Sequence, residues 1–269
     1  MNASKFIVSY KYIDSKILDK KIIWSLNYLK KISSRYNIKI SLNKKIINVK
    51  ENIIFLFNDE NILKKNFNVK VNLTKKNESF AIIPYNKIIL IYANDSRGFI
   101  YSITELVDII KYSKNNKLIL KQEIIESPKT KIRSISKCFE SIDEDIEWFY
   151  NKKSWDDYLT LLISERFNRF TLTLGMQYNY PYGNEFIKDV YLYLPYPFIV
   201  KPKGYKIKLS KFSKKDRDNN LKMIQYISKE AEKRGLEFQL AIWTQRYDFD
   251  DVPNANFQIF NYPRGQNYA

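Results

Sequence analysis

Acidic side chains crowd one short stretch of this chain: Glu140, Asp143, Glu144, Asp145 and Glu147. Two facing carboxyl groups can cleave a glycosidic bond, about 5 Å apart for retention or further apart when a water intervenes. Five neighbouring acids present no single poised pair, and one loop rarely supplies both walls of a cleft. Their plain reading is a solvated, charged loop that caps the helix after it. Asp248, Asp250 and Asp251 are equally open. Between the two acidic groups lie side chains suited to binding. Trp243 and Tyr247 offer planes on which a sugar ring can stack, and Arg246 offers a fork for a carboxylate. Tyr178, Tyr180 and Tyr182 offer similar planes, but the chain has 21 tyrosines and packing accounts for most of them. No histidine is present, and no Gly-rich phosphate loop, Ser-His-Asp set or zinc-type Cys/His spacing occurs. Nucleotide, acyl-transfer and zinc chemistry have no support, and no cofactor or metal is expected.

With 269 residues, 45% of them hydrophobic, the chain can bury one large core or two modest ones. No run reaches the ~18 apolar residues of a membrane span, and Met1 to Lys16 lacks the apolar stretch of a secretory signal. The expectation is a protein of the cytoplasm with no membrane partner. The single cysteine, Cys138, excludes an internal disulfide and reads as a buried structural thiol. A net charge of +17 would ordinarily point to nucleic acid. Here the excess is lysine spread along the chain, alongside abundant Ile, Asn and Tyr, the bias of AT-rich codons. Base readout and phosphate clamping favour arginine forks, so no nucleic-acid partner is expected. Oligomeric state is not legible.

The elements that must position these residues fall into two groups. Lys5–Tyr12 reads as a strand, Ile17–Tyr36 as a helix, and Ile38–Leu42 and Asn52–Phe57 as strands. Glu78–Pro84 and Lys87–Tyr92 form a hairpin across Tyr85-Asn86. Asn94-Asp95-Ser96 then supplies turn and capping oxygens, and Gly98 allows close backbone approach. After it Phe99, Ile103, Leu106, Val107 and Ile110 recur at helical spacing. Asn61 to Asn77 reads as lysine- and asparagine-rich loop, and Leu118–Ile125 as a further strand. Glu126 to Thr130, with Pro128 at its centre, marks a domain boundary. Beyond it the rhythm is strand and helix: strand Ile132–Phe139, helix Trp155–Phe167, strand Phe170–Gly175, helix Asp216–Arg234 closed by Gly235, strand Leu236–Trp243. Strands separated by helices imply parallel pairing. The fold class expected is α/β: a small α+β sandwich over residues 1–127, then the first three strands of an incomplete parallel (β/α) barrel over 128–269.

Particular motifs resemble known enzymes. The strand, Asp95-Ser96-Arg97-Gly98, Tyr101 and amphipathic helix resemble the close of the small α/β domain preceding the barrel in family-20 β-hexosaminidases and family-67 α-glucuronidases. Pro128 with Lys131-Ile132-Arg133, Ser154 to Tyr158, and Glu165 to Phe170 resemble the first βαβ unit of those barrels. Tyr196-Pro197-Phe198, Lys203-Gly204-Tyr205, Asn219-Asn220-Leu221 and Ala231 to Phe238 resemble α-glucuronidase-like glycosyl hydrolases more closely. The likeness spans roughly Ile88 to Tyr247. Departures are equally specific: Gly175-Met176-Gln177 stands where family-20 enzymes have a pair of acids, and Trp243 to Tyr247 stands in place of their Pro-Gly-His turn.

The resemblance implies the N-terminal portion of a carbohydrate-active enzyme acting on uronate-bearing glycans, inactive as this piece. In those families the proton donor and its partner carboxylate come from strand four onward, so the catalytic residues are unknown. The resemblance also implies Arg133 as a binding residue, since a strand-one arginine in family-20 barrels grips substrate hydroxyls, although this one lies early in its strand, where a structural ion pair is the equal alternative. Glu140, Gln177, Trp243 and Arg246 complete the substrate-binding set by their place at the strands' carboxyl ends, where they are expected to converge on one rim. The alternative, of a different class, is a stand-alone non-catalytic glycan-binding or interaction protein.

Overall fold

The computed structural model describes residues 4–14, 17–43, 52–113, 117–139, 142–174, 199, 213–242, 245–246 and 267–268. The fold is mixed α/β and divides into two compact units. The first comprises Met1–Arg133, Thr160–Asn168 and Glu232–Leu236, and the second Ser134–Leu159, Arg169–Ala231 and Glu237–Ala269.

The first unit is built on a six-stranded sheet of order β2-β1-β3-β5-β4-β6. Its strands are β1 (Ser4–Tyr12), β2 (Ile38–Asn43), β3 (Asn52–Phe57), β4 (Phe80–Tyr85), β5 (Ile88–Ala93) and β6 (Ile124–Glu126). β2, β1, β3 and β5 run parallel, whereas β4 pairs antiparallel with β5 and with β6. Helices α1 (Lys20–Arg35) and α3 (Ser96–Tyr112) pack on each other and bury Ile22, Leu26, Leu29, Phe99, Ile103, Leu106 and Val107. Each begins on an aspartate. Asp19 accepts the amides of Lys21 and Ile22, and Asp95 that of Gly98 at 2.9 Å, satisfying amides that the first turn leaves orphaned.

On one face Ile53, Phe55, Phe57, Ala81, Ile83 and Leu90 pack with Val71 and with Leu63 of α2 (Glu60–Phe67). This helix replaces the loop expected over the first part of 61–77. Asp59 caps it and Asn68 closes it in the left-handed conformation, while Leu63 is its one fully buried side chain. So short an apolar signal among lysines and asparagines leaves almost no periodicity to read. The strand expected over Leu118–Ile125 contracts to β6 for a similar reason. Ile119 and Ile125 are exposed, and of the apolar run only Leu118 is buried.

The second unit contains a three-stranded sheet, β7 (Ser134–Cys138), β8 (Arg169–Leu174) and β9 (Glu237–Ile242), in that order and parallel throughout. Helices α4 (Ile142–Tyr150), α5 (Lys152–Ser164) and α6 (Lys214–Lys233) intervene. Strand and helix alternate as expected, but α4 is new, so the acidic stretch enters a helix. Phe139, Phe149, Trp155 and Phe170 are fully buried together, and the Trp155 indole N–H donates to the Phe149 carbonyl at 2.8 Å. Lys137 lies 4.1 Å above the Trp148 ring, a cation–π contact that lets a lysine occupy this aromatic face. Cys138 is half-exposed, not the buried thiol expected, since it lies on an edge strand of the described sheet, on the face of its polar neighbours.

Those neighbours form a ladder. In a parallel pair, residues in register share a face, which puts Ser134, Ser136, Thr171, Thr173 and Gln239 together. Ser136 and Thr173 hydroxyls meet at 2.8 Å, and the Thr171 hydroxyl donates to Gln239 at 3.2 Å. Ser134, Ser136 and Gln239 are exposed to solvent. A short pair, β10 (Gln245–Arg246) with β11 (Asn267–Tyr268), completes the described strands.

Gly98 tests the packing of α3. A Cβ there would lie 2.7 Å from the Ser79 carbonyl oxygen, a backbone atom with no rotamer to move. Gly98→Ala is expected to lower stability by about 1–3 kcal/mol, the usual cost of overpacking, measured as a fall in the midpoint of chemical denaturation.

Candidate functional site

Sequence singles out five binding residues, and the structure describes them unequally. Glu140, Gln177 and Trp243 lie outside the described residues. Arg246 is described in its backbone, as part of β10, where it pairs with Asn267. In sequence Glu140 and Trp243 follow closely on the carboxyl ends of β7 and β9, the end at which β/α folds carry their chemistry.

Arg133 is described in full, and it immediately precedes β7, at that strand's amino end. Its guanidinium is committed to protein. Nε donates to the Arg166 carbonyl at 2.6 Å and Nη1 to the Thr130 carbonyl at 2.8 Å. Nη2 donates to Glu78 Oε2 and, at 3.1 Å, to the Tyr101 hydroxyl. A sugar hydroxyl would have to compete with these acceptors. The position and the partners are those of an anchor rather than of a strand-end substrate ligand.

That anchor is the most developed polar cluster among the described residues, and all of it belongs to the first unit. Glu78 sits at its centre, 7% exposed and with φ +67, a left-handed backbone uncommon outside glycine. Several contacts hold it there. Asp95 accepts the Glu78 amide at 2.9 Å while its other oxygen caps α3. Asn94 ties down the preceding loop through the carbonyls of Thr74 and Lys76. The Glu78 carboxylate accepts from Arg97 Nη1 at 2.8 Å, from Asn168 Nδ2 at 3.0 Å, and from Arg133. Arg97 Nε reaches on to the Gly235 carbonyl at 2.7 Å. Tyr101 donates its hydroxyl to the Phe167 carbonyl at 3.2 Å. Arg166 extends the cluster by pairing with Glu126 and Glu105.

The electrostatics follow from burial and partners. Desolvation alone would push the Glu78 carboxyl up, but hydrogen bonds from Arg133, Asn168 and Arg97, with the Arg133 charge, hold it below its ordinary value. Burial pushes the Tyr101 hydroxyl up to about 12, with the Glu78 charge adding to the effect, so it stays protonated and able to donate. Sequence reading flagged Asp95, Arg97, Gly98, Tyr101, Arg133 and Asn168 through the resemblance but treated Glu78 as an ordinary strand residue. No local signal marks it, since its partners lie up to 90 positions away. Among the described residues no group of three or more His, Cys, Asp or Glu side chains is arranged to hold a metal ion. No described helix is long and apolar enough to cross a membrane.

No protein-family model matches the chain, and no curated protein matches it. Solved structures do. One is a GH138 enzyme targeting pectin rhamnogalacturonan II, with a TM-score of 0.57 and 20% identity over 87% of this chain and 24% of that one. A second is a GH115 4-O-methyl-α-glucuronidase with specificity for decorated arabinogalactans, with a TM-score of 0.55 and 14% identity over 91% and 30%. A third is the β-N-acetylhexosaminidase of Bacteroides fragilis, with a TM-score of 0.52 and 16% identity over 89% and 40%. The class of fold is therefore glycoside-hydrolase-like, and the chain spans between about a quarter and two-fifths of the length of these enzymes. Identities this low establish fold and not a particular family.

The Glu78 cluster makes stability depend on pH in a definite direction. A carboxyl whose folded pKa lies below its unfolded value, 4.5, binds fewer protons when folded. Its stabilisation is thus complete above 4.5 and drains away as pH falls through the lower folded value. Glu78→Gln should remove this part of the acid dependence. It should also cost about 3–5 kcal/mol at neutral pH, by leaving Arg97 and Arg133 against a neutral amide. Urea unfolding of both proteins at neutral and acid pH measures both effects.

Proposed function

We propose that this chain is the N-terminal portion of a carbohydrate-active glycoside hydrolase of the α-glucuronidase-like type. Residues 1–127 form its α/β accessory domain, resembling the hexosaminidase-type N-terminal domain, and 128–269 the opening of a (β/α)8 TIM-type catalytic barrel. The observation that carries the reading is the second unit's topology. Three parallel strands, β7-β8-β9, follow one another in chain order with helices between, which is how such a barrel begins. The fold shared with three glycoside hydrolases supports it.

On this reading the ligand is a glycan bound beyond the carboxyl ends of the strands. Glu140 and Gln177 supply hydrogen-bonding groups, Trp243 a stacking plane, and Arg246 a charge-assisted partner for a uronate. Arg133, named in the same set by resemblance, is assigned instead to holding the polypeptide at the amino end of β7, given its four protein acceptors. General acid and base or nucleophile come from later strands, as the resemblance implies.

The coding sequence tests the reading directly. Strand–helix repeats continuing past Ala269 with Glu or Asp at strand ends support it, whereas a stop codon at that point favours a stand-alone glycan-binding protein. The purified 269-residue chain should not turn over aryl glycosides, and turnover would overturn the assignment of catalysis to later strands. In the complete enzyme, Arg246→Ala should weaken a uronate-bearing ligand by about 1.5–3 kcal/mol, the worth of a hydrogen bond to a charged group. A neutral analogue should be little affected in the same titration calorimetry, and equal losses for both would remove the case for an acidic sugar.

A further inference from the structure

The residues that lead into the three parallel strands share one partner. Arg133 precedes Ser134 of β7, Asn168 precedes Arg169 of β8, and Gly235 stands two positions before Glu237 of β9. All three belong to the first unit. Glu78 accepts hydrogen bonds directly from Arg133 and Asn168, and reaches Gly235 through Arg97, which bonds the carboxylate with Nη1 and the Gly235 carbonyl with Nε. Arg133 and Asn168 are also laced to each other. The Arg133 amide donates to Asn168 Oδ1 at 2.9 Å, and the Asn168 amide to the Arg133 carbonyl at 3.0 Å.

We propose that Glu78 is a register pin, a positioning residue that fixes the stagger of β7, β8 and β9 by gripping the residue or turn before each. The inference does not depend on the glycoside hydrolase reading. Its physical need is plain in the sheet itself. The side-chain period of a strand is two, so a slip by one residue exchanges its faces. Slipping β8 would carry Thr171 and Thr173 to the aromatic side and Phe170 and Leu172 into water. Backbone ladder bonds alone do not forbid such a slip, because every register offers them. A buried carboxylate does forbid it, since moving Arg133 or Asn168 along the strand by one residue leaves a desolvated anion without its donors.

The geometry around the pin is built to resist motion. Gly235 adopts φ +86, and a Cβ there would approach Ile100 Cδ1 of α3 to 2.9 Å, so the turn before β9 closes tightly on that helix. The neighbouring Arg234, 5% exposed, lies 5.0 Å over the Trp24 ring and donates to the Thr160 hydroxyl at 3.0 Å. These contacts add to the hold that Glu78 has, through Arg97, on the turn before β9. The turns before β7 and β8 depend on the carboxylate more heavily.

Native-state hydrogen exchange on the full chain separates a pin from a merely stabilising buried ion. With Glu78→Gln, amides of Ser134–Cys138 and Arg169–Leu174 should exchange about ten-fold faster or more, by local opening. Those of Ile53–Phe57 and Ile89–Ile91 should keep their protection. Glu78 lies beside β4 in sequence, so a merely structural role would loosen β4 and β5 first. Uniform acceleration across both sheets, or unchanged exchange in β7 and β8, overturns the proposal. If Glu78→Gln does not fold, Glu78→Asp gives the same test, keeping the charge but withdrawing it from its donors by one methylene. Its acceleration should fall on β7 and β8 and spare β9, and acceleration spread equally over all three strands would count against the pin.

Discussion

Withdrawing a carboxylate from water is costly unless donors replace the lost hydration, and around Glu78 two arginines and an asparagine do so. Compensation of this kind adds little net stability over an apolar isostere. What it adds is intolerance: few arrangements of the chain keep the anion satisfied, so the alternatives are penalised. The left-handed backbone at Glu78 belongs to the same economy. It is held in place by Asp95 and Asn94 on the turn before α3, and the close contact of Gly98 with Ser79 keeps that turn against the loop. The segment Asp95 to Tyr101 is therefore a helix start whose every polar member has a task beyond starting a helix.

The second unit divides its chemistry between the two faces of one sheet. On one side Phe139, Phe170 and Trp155 make a dry aromatic layer with the helices, and on the other Ser136, Thr173, Thr171 and Gln239 satisfy one another. Parallel sheets are commonly covered on both faces and read as continuous apolar runs. β8, Arg169-Phe170-Thr171-Leu172-Thr173-Leu174, alternates instead, which is why its period and not its hydrophobicity reveals it as a strand.

Much of the fold was legible because its core strands are unusually apolar. Asn52–Phe57 and Ile88–Ala93 announce themselves by β-branched and aromatic content, and α1 and α3 by their buried stripes. α2 was not legible, since one buried leucine in eight residues makes no pattern. The binding residues were chosen by side-chain chemistry and by resemblance, and Arg133 shows the limit of that choice. An arginine before a strand looks the same in sequence whether it grips a sugar or a buried carboxylate. The ion pair held open as the alternative for Arg133 finds its partner in Glu78, 55 positions earlier, and long-range pairs of this kind leave no trace in local pattern.

The hydroxyl ladder on the polar face of β7, β8 and β9 also bears on how such a sheet comes into being. A polypeptide that adds strands one after another must carry an incomplete sheet through water before the next strand arrives. An apolar face would then be an adhesive surface, ready to capture any other hydrophobic segment in a crowded cell. Ser134, Ser136, Thr171 and Gln239 instead bond along the rungs and leave exposed polar atoms for water. A sheet face of this composition stays wettable while the chain folds.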